Sequence, residues 1–201
     1  MEPTLSEIHT LVRVSACVGL REESLLELEL RAALDQKLSV PILREVILQS
    51  YLFAGYAAAI NAFLLLNTLT NSGDYLREEQ ASIEVWKERG TDLCEKIYGG
   101  QYERLVQNMN RLHPDLAEWM IWEGYGKVLS RPFLSPRVRE LLIVGMTAVL
   151  RVERQFHSHV RGALQVGATA EELRSVFAQV IPFLSGDAFV KSLQNILEAL
   201  L

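Results

Sequence analysis

The chain has 201 residues, of which 49% are hydrophobic and 22% charged, with a formal net charge of −5 and an isoelectric point near 5.5. This composition excludes intrinsic disorder and fibrous repeats, and about 200 residues can bury a core without metal or disulfide support. The acidic balance argues against a nucleic-acid-binding protein and favours small molecules or further copies of the chain as partners.

The first residues, numbers 1–6, lack the basic flank and the apolar run that a signal peptide needs. Cys17 and Cys94 are too few and too far apart for a secreted disulfide framework, and neither belongs to a C-x-x-C pair. We therefore expect a cytoplasmic location.

A long apolar stretch, residues 51–66 (YLFAGYAAAINAFLLL), approaches the length of a membrane span. Gly55, Asn61 and neighbouring polar and small residues fit two helices buried inside protein better than one helix in lipid. The sequence therefore predicts no membrane association.

The sequence also aligns with itself at an offset of 130 positions. Residues 5–71 align without a gap with 135–201, and roughly 14 of the 67 pairs are identical, against about four or five expected by chance. Residues 31–34 (RAAL) fall on 161–164 (RGAL), and 43–46 (LREV) fall on 173–176 (LRSV). This pattern predicts an internal duplication.

Apolar residues recur at three and four positions throughout, and no alternating β-rich run is present, so the predicted fold class is all-α. Between the two copies we expect helices over about 78–98, 101–110 and 114–129. In the second copy, Ser135-Pro136 starts a helix ending near Leu150, a second helix spans about 152–166, and a capping box opens a third at Thr169. A break at 185–187 precedes the last helix.

The densest polar cluster is residues 151–161 (RVERQFHSHVR), on the second helix of the second copy. His157 and His159 point away from each other on a helix, which argues against a metal site. We expect His157 to be solvated and His159 to point inward, at the same depth as Glu140 on the preceding antiparallel helix. A carboxylate facing a buried imidazole suits acid–base chemistry, although a purely structural pair is the alternative.

The run 122–134 (WEGYGKVLSRPFL), followed by 137–142 (RVRELL), 153–156 (ERQF) and 159–164 (HVRGAL), resembles the carboxymuconolactone decarboxylase family. The resemblance covers about residues 84–201. It implies an alkylhydroperoxidase D-like helical bundle, with 72–201 as a full family domain and 1–71 as a first, degenerate copy.

The alkylhydroperoxidase D proteins of this superfamily place a Glu twelve positions before a C-x-x-C pair and a His four positions after it. Glu140 and His159 match this pattern, but Val152 and Gln155 occupy the cysteine positions. Thiol peroxidase chemistry is therefore disfavoured, and the sequence is more similar to the decarboxylase branch. In the first copy, Thr10 and Glu29 replace Glu140 and His159.

The resemblance implies a lyase that removes carbon dioxide from a small anionic lactone without a cofactor. His159, oriented by Glu140, is the expected proton or hydrogen-bond donor. We expect Arg131 and Arg161 to hold the substrate carboxylate. Trp122 and Tyr125, together with Trp119, are expected to wall the pocket.

Two alternatives stay open: an alkylhydroperoxidase-type antioxidant protein, and a non-enzymatic, oligomeric ligand-binding protein. Members of this family commonly form trimers or hexamers of single domains. Since a fused pair of copies reproduces a six-unit ring as a trimer, we expect a homotrimer.

Overall fold

The computed structural model describes residues 2–70, 73, 75–78 and 81–201. Every regular element in these ranges is helical, which confirms the predicted all-α class. A π-helix (Met120–Leu129) lies between α7 and α8, and 3₁₀ turns occupy Gly99–Gln101 and Ile181–Phe183. The α-helices are α1 (Leu5–Leu20), α2 (Glu23–Asp35), α3 (Val40–Ala54), α4 (Tyr56–Leu69), α5 (Ile83–Tyr98), α6 (Tyr102–Leu112), α7 (Pro114–Trp119), α8 (Pro136–Val149), α9 (Glu153–Gln165), α10 (Ala170–Val180) and α11 (Asp187–Leu200).

The first two turns of α1–α4 and of α8–α11 have the same geometry at the 130-residue offset, whereas the third turn is Gly55 alone in one case and residues 181–186 in the other. Arg21, after α1, and Arg151, after α8, both adopt φ 61°. After α2, the amide of Leu38 donates to the Ala33 carbonyl at 3.0 Å; after α9, Ala168 donates to Ala163 at 2.8 Å. These matching turns support the predicted duplication.

The apolar stretch over residues 51–66 is divided between two helices. α3 ends at Ala54 and α4 begins at Tyr56, while Gly55 between them adopts φ 84°, a left-handed value that favours glycine. In the described ranges, no helix has both the length and the hydropathy to cross a bilayer.

The helix starts in the second copy agree with their predicted caps. Ser135 accepts a hydrogen bond from the amide of Val138, and Thr169 with Glu172 forms a complete capping box. Between the copies, α5 begins at Ile83 rather than near residue 78, because Ser82 caps it. Two residues of that predicted start, numbers 79 and 80, lie outside the described residues.

The main hydrophobic core draws residues from both predicted copies. α1 packs directly on α8, and a Cβ at Gly145 would lie 2.7 Å from Val12 Cγ1, so this crossing needs glycine. A smaller cluster around Cys94, Ile97 and Ile143 joins α5 and the π-helix to α8. The predicted division at residues 71 and 72 lies outside the described residues and stays a prediction.

Candidate active site

The α8–α9 hairpin brings Glu140 and His159 together. His159 Nδ1 lies 2.8 Å from Glu140 Oε2, and the two residues are only 6% and 1% exposed. Glu140 Oε1 is buried and accepts no hydrogen bond from any described residue. The carboxylate therefore orients the imidazole through Nδ1, which leaves Nε2 as the ring nitrogen that can meet a ligand.

Gly162, one helical turn after His159, makes room for this pair. A Cβ at position 162 would lie 2.7 Å from Glu140 Oε2 and 2.8 Å from Ile97 Cγ2. Gly162 is thus a positioning residue that the sequence analysis did not single out. Its signal in the sequence was the spacing of three positions from His159, which places both on the helix face that meets α8.

A cavity of about 490 Å³ opens beside His159. Phe53 from α3 meets the imidazole edge-on, with ring centroids 5.5 Å apart. Most of the wall is apolar or aromatic, as in many small-molecule sites. The lining residues are Leu52, Phe53, Tyr98, Leu105, Met109, Leu116, Trp119, Met120, Glu123, Gly124, Tyr125, Leu129, Arg154, Gln155, Ser158 and His159.

Two tyrosine hydroxyls give this cavity hydrogen-bonding capacity. The Tyr98 and Tyr125 oxygens are 2.9 Å apart, and Ser158 donates to Tyr98 at 3.4 Å. Burial, and secondarily the charge of Glu140, raises the pKa of Tyr98 to about 12. Burial also raises the pKa of Tyr125 well above its ordinary value. Both phenols therefore stay protonated at neutral pH and act as hydrogen-bond donors.

Tyr125 and Glu123 reach the cavity from the π-helix, within the helical stretch that the sequence predicted over 114–129. The predicted helical stretch is present, but α7 ends at Trp119 and the wider π-helix continues it to Leu129. The π-helix packs tightly on α5: a Cβ at Gly126 would overlap the Trp86 carbonyl oxygen. π-helical segments are rare and often occur at functional sites.

The structure brings only part of the predicted site together. Tyr125 and Trp119 line the His159 cavity. Trp122 instead stacks on Trp86, with ring centroids 6.3 Å apart, because positions 122 and 125 do not share a face in the wider helix. Arg161 lies outside this cavity and lines a neighbouring one.

Arg131 is held away from the His159 cavity by a buried carboxylate. Its Nε donates to Glu45 Oε1 at 2.8 Å, and Arg139 Nη2 donates to the same oxygen at 2.7 Å. Glu45 belongs to α3 and Arg139 to α8, so this cluster joins helices from the two predicted copies. Nothing in the sequence indicated that Glu45 of α3 pairs with Arg131, because the two residues are far apart in the chain.

Sequence analysis also missed Arg154, Tyr98 and Ser158 as lining residues. Arg154 and Ser158 were visible as polar positions on the helix of His159, but nothing in the sequence set them apart from solvated ones. Tyr98 comes from α5, more than 50 positions away, and its approach depends on how α5 packs.

Neither cysteine reaches the cavity as a nucleophile. Burial, and secondarily Glu140, raises the pKa of Cys94 to about 12, and burial with Glu29 raises that of Cys17 to about 12. Both thiols are thus protonated and unreactive at neutral pH. Within the described ranges, no group of three His, Cys, Asp or Glu side chains is placed to hold a metal ion.

Comparisons with known proteins agree with the resemblance seen in the sequence. The model of the carboxymuconolactone decarboxylase family matches residues 114–197, which include Glu140 and His159. The chain is 31% identical over 179 residues to Peroxisomal protein 2 of Schizosaccharomyces pombe, covering 87% of this chain and 83% of that protein.

Two further relatives are more distant. Peroxisomal protein 2 of Saccharomyces cerevisiae is 25% identical over 163 residues, covering 66% of this chain and 57% of that protein. The 4-carboxymuconolactone decarboxylase of Acinetobacter baylyi is 25% identical over 89 residues, covering 44% of this chain and 66% of that protein. The chain thus spans little more than half the length of its S. cerevisiae relative.

Proposed function

This chain belongs to the carboxymuconolactone decarboxylase family, and we propose that it is a cofactor-free lyase that decarboxylates a small anionic, lactone-type substrate. The observation that carries this proposal is the buried Glu140–His159 pair at the wall of a cavity of about 490 Å³. Membership of the family and the similarity to a decarboxylase support it.

In this proposal Arg154 holds the substrate carboxylate in place of Arg131. Arg154 lines the His159 cavity and makes no ion pair with a described residue, whereas Arg131 is already bound to Glu45. The planar guanidinium suits a carboxylate, to which it can donate two hydrogen bonds. The remaining wall orients the lactone ring by contact with its apolar faces.

The reaction requires a place for an electron pair and a source of one proton. When the bond to the carboxyl carbon breaks, carbon dioxide leaves, and the electron pair delocalises onto the conjugated lactone carbonyl oxygen. The protonated hydroxyl of Tyr125 donates a hydrogen bond to that oxygen. His159 in its protonated form then delivers the Nε2 proton to carbon, and Glu140 balances the imidazolium charge until this transfer. Solvent returns the proton to His159.

The first experiment incubates the purified protein with 4-carboxymuconolactone and follows its ultraviolet spectrum and carbon dioxide release. We expect release by the wild type and its loss in His159→Ala. His113→Asn is the matched control, because His113 is exposed, lies outside the cavity lining and caps α7, a position that Asn also fills. Equal turnover in His159→Ala would remove His159 from the mechanism. Binding without release would favour the non-enzymatic alternative.

We also propose that the chain self-associates through α4, as a homotrimer. Tyr56, Ile60 and Leu64 follow one another at four-residue spacing and are 64%, 53% and 60% exposed. α4 carries no charged residue, so contact with a second copy of this chain would remove this apolar face from water without burying a charge. Light scattering should give a trimer mass for the wild type and a smaller mass for Ile60→Glu. A monomeric wild type would contradict this proposal.

The cellular location has two candidates. Cysteine usage favours the cytoplasm, while two relatives carry a peroxisomal name. We keep the cytoplasm as the proposal, and imaging of the tagged full-length chain against a peroxisomal marker would decide between them.

A further inference from the structure

A second cavity, of about 390 Å³, lies between α5, α6 and α9, next to the His159 cavity. Its polar lining comes mainly from Arg104 and Gln101 on one side and His157, Arg161 and Gln165 on the other. Among the described residues, no Asp or Glu lines it. The lining therefore offers hydrogen-bond donors and positive charge to a ligand, and no carboxylate to repel an anion.

Some arginines of the chain are paired with a carboxylate, whereas the two of this cavity have no such partner among the described residues. Arg137 and Arg174 are paired with Glu172 and Glu198. In contrast, Arg104 and Arg161 form no ion pair with any residue in the described ranges. Two guanidinium groups that line one cavity can both donate charge-assisted hydrogen bonds to one ligand, so the arrangement fits an anionic ligand.

The second cavity adjoins the first. Tyr98, Leu105 and Ser158 line both. The hydrogen bonds from Ser158 to Tyr98 and between Tyr98 and Tyr125 cross the shared wall. Because the same three side chains border both cavities, a ligand that extends over them would have one end beside His159 and the other beside Arg161.

We propose that the second cavity binds the distal anionic group, a carboxylate or a phosphate, of an elongated ligand whose reacting end lies beside His159. The identity of the reacting end rests on the proposed function, but anion binding by Arg104 and Arg161 does not. The substrate class is then a molecule with two separated anionic groups joined by an apolar body.

Calorimetric titration tests this proposal without turnover. The probes are matched pairs of mono- and dicarboxylates, hexanoate with adipate and octanoate with suberate, together with inorganic phosphate. For at least one pair, we expect the wild type to bind the dicarboxylate about tenfold more tightly, since a charge-assisted bond is worth about one decade in affinity. Arg161→Gln and Arg104→Gln should each remove this preference.

Arg111→Gln is the matched control. Arg111 lies in the last turn of α6, is exposed and lines neither cavity, yet its loss changes the net charge equally. We expect this variant to keep the preference for dicarboxylates. Tight phosphate binding that is lost in Arg161→Gln would assign the distal group as a phosphate, whereas dicarboxylate preference alone would assign a carboxylate.

Three outcomes would overturn the second site: neither a dicarboxylate preference nor phosphate binding in the wild type, binding retained in both cavity variants, or an equal loss in Arg111→Gln. Because Arg104 and Arg161 are exposed, their variants should keep the wild-type melting temperature, which checks the fold. His159→Ala separates the two proposals. If it lacks turnover but keeps the dicarboxylate preference, both stand, whereas wild-type inactivity with intact preference overturns only the lyase.

Discussion

The α1–α2 and α8–α9 hairpins place different chemistry at equivalent positions. In α8–α9, Glu140 and His159 are both buried, and one carboxylate oxygen has no partner among the described residues. In α1–α2, the equivalents are Thr10 and Glu29, and Arg13 donates to both, at 3.1 Å and 2.8 Å. The first hairpin thus has a neutralised polar cluster, whereas the second has a pair that can still exchange a proton.

The difference depends on one further position. Arg13 of α1 corresponds to Ile143 of α8, which is 1% exposed and belongs to the smaller hydrophobic cluster. An arginine at that position would compete with His159 for the carboxylate of Glu140. The comparison shows that the helical hairpin accommodates either arrangement, and that Glu140 keeps His159 as its partner where Ile143 stands in place of the arginine.

The largest expected effect comes from replacing His159 and its counterpart with the same residue. His159→Gln should lower turnover by about 10²–10⁴-fold, because glutamine cannot transfer a proton. Glu29→Gln should leave turnover unchanged, since Glu29 lies in the other hairpin. Steady-state kinetics of both variants measures the difference, and a similar loss in both would refute the assignment of the site to α8–α9.

A second comparison concerns Gly162 and its counterpart Ala32. Gly162→Ala should destabilise the protein by about 1–3 kcal/mol, because the added methyl group overlaps Glu140 and Ile97. It should also lower turnover by displacing Glu140. Ala32→Gly should cost only about 0.5–1 kcal/mol through helix propensity. Urea denaturation gives both values; a Gly162→Ala variant with wild-type stability and activity would show that Glu140 needs no such space.

A third prediction concerns the buried thiols of Cys17 in α1 and Cys94 in α5, which should make the stability of the protein fall at alkaline pH. Burial raises the pKa of Cys17 and of Cys94 to about 12, above the ordinary value of 9.0. Unfolded thiols therefore lose protons at lower pH than folded ones. Their contribution to stability is complete below about pH 9 and is lost as the pH rises towards 12. Urea denaturation at about pH 7 and about pH 10.5 gives the free energy of unfolding at each pH. The loss of this free energy between the two pH values should be smaller for Cys94→Ala and for Cys17→Ala than for the wild type.

The smallest effect is expected at the ion pair of the first hairpin. Arg13 and Glu29 are partly solvated, so Arg13→Gln should cost about 1 kcal/mol or less, with turnover unchanged. Thermal melts at low and high salt measure this contribution. A loss of turnover in Arg13→Gln would indicate that the first hairpin also takes part in catalysis.

Much of the fold and the central pair of the site were predictable, because their signals are local. The caps at Ser135 and Thr169 mark helix starts through bonds to residues three positions away. The shared depth of Glu140 and His159 follows from helical rise on either side of a short turn. Arg131 and Trp122 were predicted at the His159 cavity, but the structure places them elsewhere. Their partners Glu45 and Trp86 are distant in sequence, so no local signal indicated these contacts.

The sequence by itself determined the helical class, the repeat-like order of helices and the facing of a carboxylate and an imidazole across one hairpin. Only the tertiary structure decided which arginines remain available, where the π-helix replaces the α-helix, and which side chains from α3 and α5 complete the cavity. The physical reason is the separation along the chain over which each interaction acts. Capping and periodicity act over three or four residues, whereas a charge is neutralised, or left for a ligand, by whatever the packing of distant helices brings within hydrogen-bonding distance.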